Sequence, residues 1–239
     1  MIIRKKDKFL RLIGISSIAG VMTLFPILKT LAEEMPTGAS IESGNITITG
    51  TKTNHMVIDQ STDKSVINWQ SFSIHKHGRV DFNMPNSKSM SLNRVSGSTP
   101  SRIAGQLNSN GQVYLINPHG IIVTPSGKVK TNSFTASSLD INNQDFLNNN
   151  FTFNKSTKAN KGVINSGKIT LGSAGHANLF GSNIRNDGII NAKLGKINIG
   201  AGEKITLDIE GDGLMSVILP VEKLDSIKDI NGNSIKSLI

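Results

Sequence analysis

The sequence contains no cysteine, which excludes disulfides, thiolate metal sites and cysteine nucleophiles. Aromatic side chains are scarce, with nine Phe, one Tyr (Tyr114) and one Trp (Trp69) in 239 residues. Standing alone, Trp69 and Tyr114 read as packing residues, not as a stacking platform for sugars or bases. Charge is sparse as well, at 18% of residues. The carboxylates are scattered, with no Asp-Asp pair and no Asp-x-Asp in any strand-like run. A secreted polysaccharide lyase or glycosidase needs such clusters, either flanking the bond or holding calcium. Asp208-Ile-Glu210 comes nearest, and alternation would set both side chains on one exposed face.

What is abundant is Asn, Ser and Gly, at 25, 27 and 23 residues. That composition argues against a helical bundle, which would be rich in Ala, Leu, Glu and Lys. At 37% apolar, the chain is also too hydrophobic for disorder throughout. The net charge of +9 is unevenly spread, because residues 1–32 carry +5 of it. The remainder is unremarkable for a domain of this size and is no nucleic-acid footprint.

The first thirty residues read as an address. A basic run from Arg4 to Arg11 precedes an apolar stretch, Leu12 to Leu28, broken by Gly, Ser and Pro26. Thr30-Leu31-Ala32 then places small residues before the acidic pair Glu33-Glu34. This is the order of a secretory signal peptide, with cleavage expected between Ala32 and Glu33. The stretch is close to a minimal membrane span, but Pro26 and the small-x-small site favour cleavage over anchoring. Residues 1–32 are therefore assigned as signal peptide, 33–225 as the folded domain and 226–239 as a polar tail. No stable membrane insertion is expected once the signal is removed.

From Ile41 onward, short β-type runs alternate with Gly, Asn, Ser and Asp, as in Ile46–Thr49, Ser65–Trp69, Val113–Ile116 and Ile121–Val123. No window shows an apolar helical period over twelve residues. Ser137–Phe146 could form a helical turn, a reading that Asn142-Asn143 weakens. The later half repeats itself. Gly162-Val-Ile-Asn165 recurs as Gly188-Ile-Ile-Asn191, and Gly167-Lys-Ile-Thr-Leu-Gly172 as Gly195-Lys-Ile-Asn-Ile-Gly200. The spacings are 26 and 28, with a further echo in Glu203–Leu207. Imperfect periods of this size indicate a solenoid whose units bury their apolar faces on each other. Short strands with Gly/Asn corners make it an all-β one, in which stacked Asn side chains can bond from coil to coil. Some 200 residues at that period give about seven to nine coils and a rod about 35–45 Å long. Residues 36–60 are the expected N-terminal cap. Leu115, Ile169, Leu171, Ile197, Ile199 and Ile205 are the expected inward-pointing core.

The most informative stretch is Asn110-Gly111 through Asn117-Pro118-His119-Gly120 to Val123. Asn, Pro and Gly occupy the first, second and fourth positions that a type I turn favours, and the Asn117 side chain can accept from a following N–H. Taken alone, this is a good turn. Together with Ser65–Ile74 (including Asn68 and Trp69), Val80–Phe82, Ser91–Gly97 (including Asn93, Arg94 and Gly97), Phe134–Ile141, Phe151–Phe153 and Val163–Gly167, it resembles a known family. That family is the N-terminal secretion, or haemagglutination activity, domain of filamentous haemagglutinin-like proteins exported by two-partner secretion. The similarity runs over residues 38–210 in the right order, nearest the high-molecular-weight adhesin and haem–haemopexin-utilisation branch. The family's Asn-Pro-Asn-Gly motif stands here as Asn117-Pro118-His119-Gly120.

The resemblance implies a right-handed parallel β-helix with an N-terminal cap. It also implies export into the periplasm of a Gram-negative cell, then recognition by the POTRA domains of an Omp85-type outer-membrane transporter and release to the surface or medium. Adhesion, toxin or haem-scavenging activity lies downstream in such proteins, so a host-surface ligand is a further expected partner. Enzyme activity, a metal and a cofactor are not expected. His75-Lys76-His77 lacks an evident third ligand, and Arg94 and Arg102 read as flanking a solvated loop. The alternatives left open are a secreted polysaccharide-active β-helix and the N-terminal fragment of a contact-dependent toxin or haemolysin.

Overall fold

The computed structural model describes residues 34–156, 161–208 and 215–218. The expected signal peptide, the Ala32–Glu33 cleavage site, Glu210 and the tail 226–239 lie outside the described residues. In chain order the elements begin with β1 (Ser40–Ser43), β2 (Ile46–Thr49), β3 (His55–Gln60), β4 (Lys64–Trp69) and β5 (Arg79–Asn83). Next come β6 (Met90–Val95), β7 (Ser101–Ile103), β8 (Gln106–Ser109), β9 (Gln112–Ile116), β10 (Ile121–Val123), β11 (Lys128–Thr131) and β12 (Ser133–Ser137). The chain then leaves its path for β13 (Asp140–Ile141), α1 (Asn143–Leu147) and β14 (Phe151–Asn154). It returns through β15 (Val163–Asn165), β16 (Lys168–Leu171), β17 (His176–Gly181), β18 (Ile184–Asn186), β19 (Ile189–Asn191) and β20 (Lys196–Ala201), and leaves again for β21 (Lys204–Leu207) and β22 (Met215–Ile218).

The result is an all-β, right-handed parallel β-helix with three faces. The first face is the sheet β1-β4-β6-β9-β12-β17-β20, the second β7-β10-β15-β18, and the third β2-β3-β5-β8-β11-β16-β19. Apart from β1 and β2, each strand lies parallel to its neighbour one coil away, as in Ile67 beside Asn93 and Phe134 beside Ala177. Among the described residues six coils form, counted as the parallel strands of the first face, fewer than the seven to nine expected from the length. At about 4.8 Å per coil the rod is about 29 Å long. Two excursions leave the coil path, residues 138–156 and, among the described residues after β20, 202–208 with 215–218, and they build a separate antiparallel sheet, β13-β14-β21-β22.

The cap is smaller than expected. β1 and β2 run antiparallel on β4 and β3, whereas His55–Gln60, expected as cap, already belongs to the first coil beside β5. The sequence repeats also misplace the register. Gly167–Gly172 and Gly195–Gly200 look alike, yet β16 stacks on β19 and β20 on β17. True neighbours are Lys168 and Ile189, an offset of 21, and His176 and Lys196, an offset of 20. The shared Gly-Lys-Ile pattern is corner-plus-strand chemistry that recurs on different faces, so it does not report a coil length.

Two cores result. Inside the helix, Ile67, Trp69, Val113, Leu115, Ile121, Val129, Ile169, Leu171 and Leu179 are buried together. Outside the first face, Val66, Leu92, Tyr114, Ile116 and Phe180 pack against Phe146, Phe151, Phe153, Ile205 and Leu207 of the side layer. The middle strands of the first face, β9, β12 and β17, are thus buried on both sides. Leu115, Ile169 and Leu171 point inward as expected, but Ile205 is buried in the second core. Ile197 and Ile199 stand in register with the inward Ala177 and Leu179, yet are 47% and 46% exposed. They lie on the last strand of their sheet, with no further coil among the described residues to cover them.

Candidate functional site

Asn117 sits where the first face turns into the second. Its side chain is fully buried. Nδ2 donates to the Thr99 carbonyl and to Ser101 Oγ, both at 3.0 Å, and Oδ1 accepts from the His119 N–H at 2.9 Å. The Gly120 N–H closes the turn on the Asn117 carbonyl at 2.9 Å. Pro118 is buried and its carbonyl accepts from the Lys161 N–H at 3.1 Å. Gly120 has φ +101, a region other residues avoid, and a Cβ there would lie 3.1 Å from the Gly162 carbonyl. One amide therefore ties the corner both to itself and to the preceding coil. His119, half-buried, is the side chain that this turn shows to solvent.

The neighbouring family-matching residues do similar work. Asn110 clasps the backbone of Met84, donating to its carbonyl at 2.7 Å and accepting from its N–H at 2.8 Å. Gly111 is required by packing, since a Cβ there would lie 2.7 Å from the Ser89 carbonyl oxygen. Gly97 lies so close to Gln70 that a Cβ would fall 2.1 Å from its carbonyl oxygen. Trp69 is buried and donates its indole N–H to Asn93 Oδ1 at 3.0 Å, while Asn93 donates to the Ser91 carbonyl and hydroxyl. A polar pair in the middle of an aliphatic core is thereby satisfied. Further Asn side chains bond from coil to coil, Asn165 to Asn186 at 2.7 Å and Asn198 to Asn178 at 2.8 Å.

Arg94 is not in a solvated loop. Only 18% of its side chain is exposed. It donates to the Asp140 carboxylate at 2.8 Å, to Asn143 Oδ1 at 2.7 Å, to the Ile141 carbonyl, and more weakly to Asn68 Oδ1 at 3.4 Å. It therefore staples the start of α1 to the first face. Lys64, one coil earlier, holds the other end of the helix through the Leu147 carbonyl at 2.6 Å, as suits a cation at a helix C-terminus. The side-layer partners of Arg94 and Lys64 lie 46 to 85 residues away, so no local pattern announces them. Arg102 is exposed on the second face.

Elsewhere, His77 donates its backbone N–H to His75 Nδ1 at 3.3 Å. Among the described residues no three His, Asp or Glu side chains are grouped to hold a metal. Asp81 gathers donors from three adjacent strands, His55, Arg79 and Asn108, at 2.7–2.8 Å. Burial pushes its pKa up, but the hydrogen bonds from Arg79, Asn108 and His55 outweigh this and hold it below the usual carboxylate value. Burial alone pushes the Tyr114 phenol up. Among the described residues no nucleophile, base and charge-stabilising group are brought together. The geometry offers a cap, a fully bonded corner and a stapled side layer.

Comparison with known proteins places this architecture. The TPS secretion domain family matches residues 32–226. A heme/hemopexin-binding protein of Haemophilus influenzae strain Rd is 33% identical over 208 residues, 84% of this chain and 23% of that protein. A second Haemophilus influenzae heme/hemopexin-binding protein is 36% identical over 115 residues, 48% of this chain and 12% of that protein. Among solved structures, the HMW1 secretion domain from Haemophilus influenzae superposes with a TM-score of 0.73 at 37% identity, over 78% of this chain and 50% of that one. The chain spans less than a quarter of the length of the relatives it matches.

Proposed function

The chain belongs to the TPS secretion domain family, and from that premise we propose that this domain is the export signal of an adhesin-type exoprotein, read by an outer-membrane transporter of the Omp85 type through its periplasmic POTRA domains. A signal peptide, residues 1–32 with cleavage at Ala32–Glu33, delivers the chain to the periplasm of a Gram-negative cell. The transporter then passes it to the surface or the medium. The β-helix itself is a non-enzymatic scaffold, and any host-surface ligand is engaged after export.

The observation that carries this reading is the extent of the match. Residues 32–226 take in the cap, all six coils and the side layer, so the family likeness is that of a whole folded unit. The Asn117 corner adds a constraint on timing. Its amide and Pro118 are buried once the coils stack, so a transporter that reads Asn117 reads it before folding is complete. Afterwards His119 alone remains accessible at that turn. The test is export of a reporter fused after Ser226, the end of the matched region, in cells with and without a cognate transporter. Release only in the presence of the transporter is expected. Release without it, or retention with it, would overturn the proposal.

A further inference from the structure

Apolar alternation does not by itself fix the register of this helix. Side chains alternate across a strand, so a slip of one residue turns the whole apolar set outward and is excluded. A slip of two keeps every inward residue inward. On the first face the inward pairs of β9, β12 and β17 are Val113 and Leu115, Phe134 and Ala136, and Ala177 and Leu179, with Ile197 and Ile199 of β20 in register beyond them. Displaced by two residues, such rungs still meet apolar on apolar.

The first two coils differ. On the same face the inward residues of β4 and β6 include Ser65, Ser91 and Asn93, all fully buried. With Trp69 and Gln60 they form one chain of bonded side chains. The Trp69 indole N–H donates to Asn93 Oδ1 at 3.0 Å, and Asn93 Nδ2 donates to Ser91 Oγ at 3.2 Å. Ser91 Oγ shares a bond of 3.0 Å with Ser65 Oγ, which donates to Gln60 Oε1 at 2.6 Å. Gln60 Nε2 ends the chain on the carbonyls of Thr62 and Met90. Corner asparagines such as Asn110 are no substitute, because they bond to backbone groups that every residue offers.

We propose that this network is the register pin of the helix: it admits one alignment of the first two coils, and the later coils, apolar inside this face, take their alignment from it. Ser65 and Ser91 are direct register neighbours, whereas Asn93 lies opposite Ile67 and reaches Trp69 on the diagonal. A slip of two residues in either direction separates Ser65 from Ser91 and takes the Asn93 amide off that diagonal. Buried donors and acceptors then lose their partners, a defect that no apolar rung presents. The pin adds specificity where an apolar core of the same shape would supply stability alone. It does not depend on transporter recognition.

The chain has no cysteine, so introduced pairs report register without background. Asp59 and Asn83 are register neighbours on the outside of the third face, within reach of a disulfide. Val57 lies two residues before Asp59, about 8 Å from Asn83 between Cα atoms, and is bridged to it only after a slip. Asp59→Cys/Asn83→Cys and Val57→Cys/Asn83→Cys are each placed in the purified protein and in an apolar-core variant, Trp69→Phe/Ser65→Ala/Ser91→Ala/Asn93→Leu, and oxidised after folding. With the network intact, only the first pair is expected to close. In the apolar core the second pair is expected to close to a similar extent as the first. A control, Val113→Ile/Leu115→Val, disturbs packing without removing a polar partner and should close the first pair alone. Closure of the first pair alone in the apolar core would overturn the proposal. Equal slippage in the control would assign register to packing, and an apolar core that fails to melt cooperatively would assign the network to stability; either result overturns it as well.

Discussion

The two ends of the helix are built from the same rung chemistry and finish differently. At the N-terminal end β1 and β2 turn antiparallel across β4 and β3, and Met35 and Pro36 are buried beneath the first coil's corners. At the other end β18, β19 and β20 are each the last strand of their sheet. There Ile189, Leu194, Ile197 and Ile199 remain exposed, Leu194 at 83%. Leu179 and Ile199 are register neighbours, one fully buried and one half exposed. Burial in a solenoid is therefore a property of having a next coil. Among the described residues, then, the first end is closed and the last is open.

A charge placed in the core separates the two regions most strongly. Leu115→Asp, in a central coil covered on both sides, is expected to abolish cooperative folding, because an unpaired carboxylate in an apolar interior costs more than the whole stability of a domain. Ile197→Asp at the open end is expected to cost about 1 kcal/mol, and Lys193→Asp no more than about 0.5 kcal/mol. Urea denaturation of the three proteins checks the order. Losses of similar size for Leu115→Asp and Ile197→Asp would mean that the open end is covered in solution.

Asparagines give the next contrast. Asn117→Ala removes three side-chain bonds from a buried corner and is expected to cost about 2–3 kcal/mol, against about 0.5 kcal/mol for Asn198→Ala, whose amide bonds once and is half exposed. Secretion separates recognition from stability. If the transporter reads the corner, Asn117→Ala loses export that Asn178→Ala, a buried ladder asparagine, retains at comparable stability. Parallel losses would leave Asn117 a structural turn.

The smallest expected effect is that of pH. His176, in the last coil but one, has its pKa lowered by burial and then by Lys196. The unfolded chain takes up that proton first, so the stability present above about pH 6.5 is lost as pH falls through the lower folded value. Asp81, near the capped end, contributes above about pH 3.9 and loses its contribution only as pH falls further. Melting temperature against pH should therefore show two steps. His176→Gln should remove the upper one and Asp81→Asn the lower.

Much of this was legible from residue order. Alternating runs such as Val113–Ile116 mark strands, and the core positions Leu115, Ile169 and Leu171 follow from them because side chains alternate across a pleat. Corner chemistry at Asn117–Gly120 is local and was readable for the same reason. Register was not, since Gly-Lys-Ile recurs wherever a corner precedes a strand, whichever face that strand joins. The side layer was hidden because its fasteners are long-range. Arg94 reaches Asp140 and Lys64 reaches Leu147 only once the coils exist. Asn142 argued against a helix by propensity, yet it is the N-cap of α1, with its side chain accepting from the Gln144 N–H. Exposure at Ile197 and Ile199 depends on what lies beyond them, which no rung pattern encodes.

Native-state hydrogen exchange, resolved by strand, asks whether the helix is closed at its first coil and open at the last coil of the described residues. Slowest exchange is expected in β4, β6 and β9, held between the cap and the side layer, and fastest exchange in β18, β19 and β20. Uniform protection across all six coils, or slowest exchange at β18–β20, would contradict it.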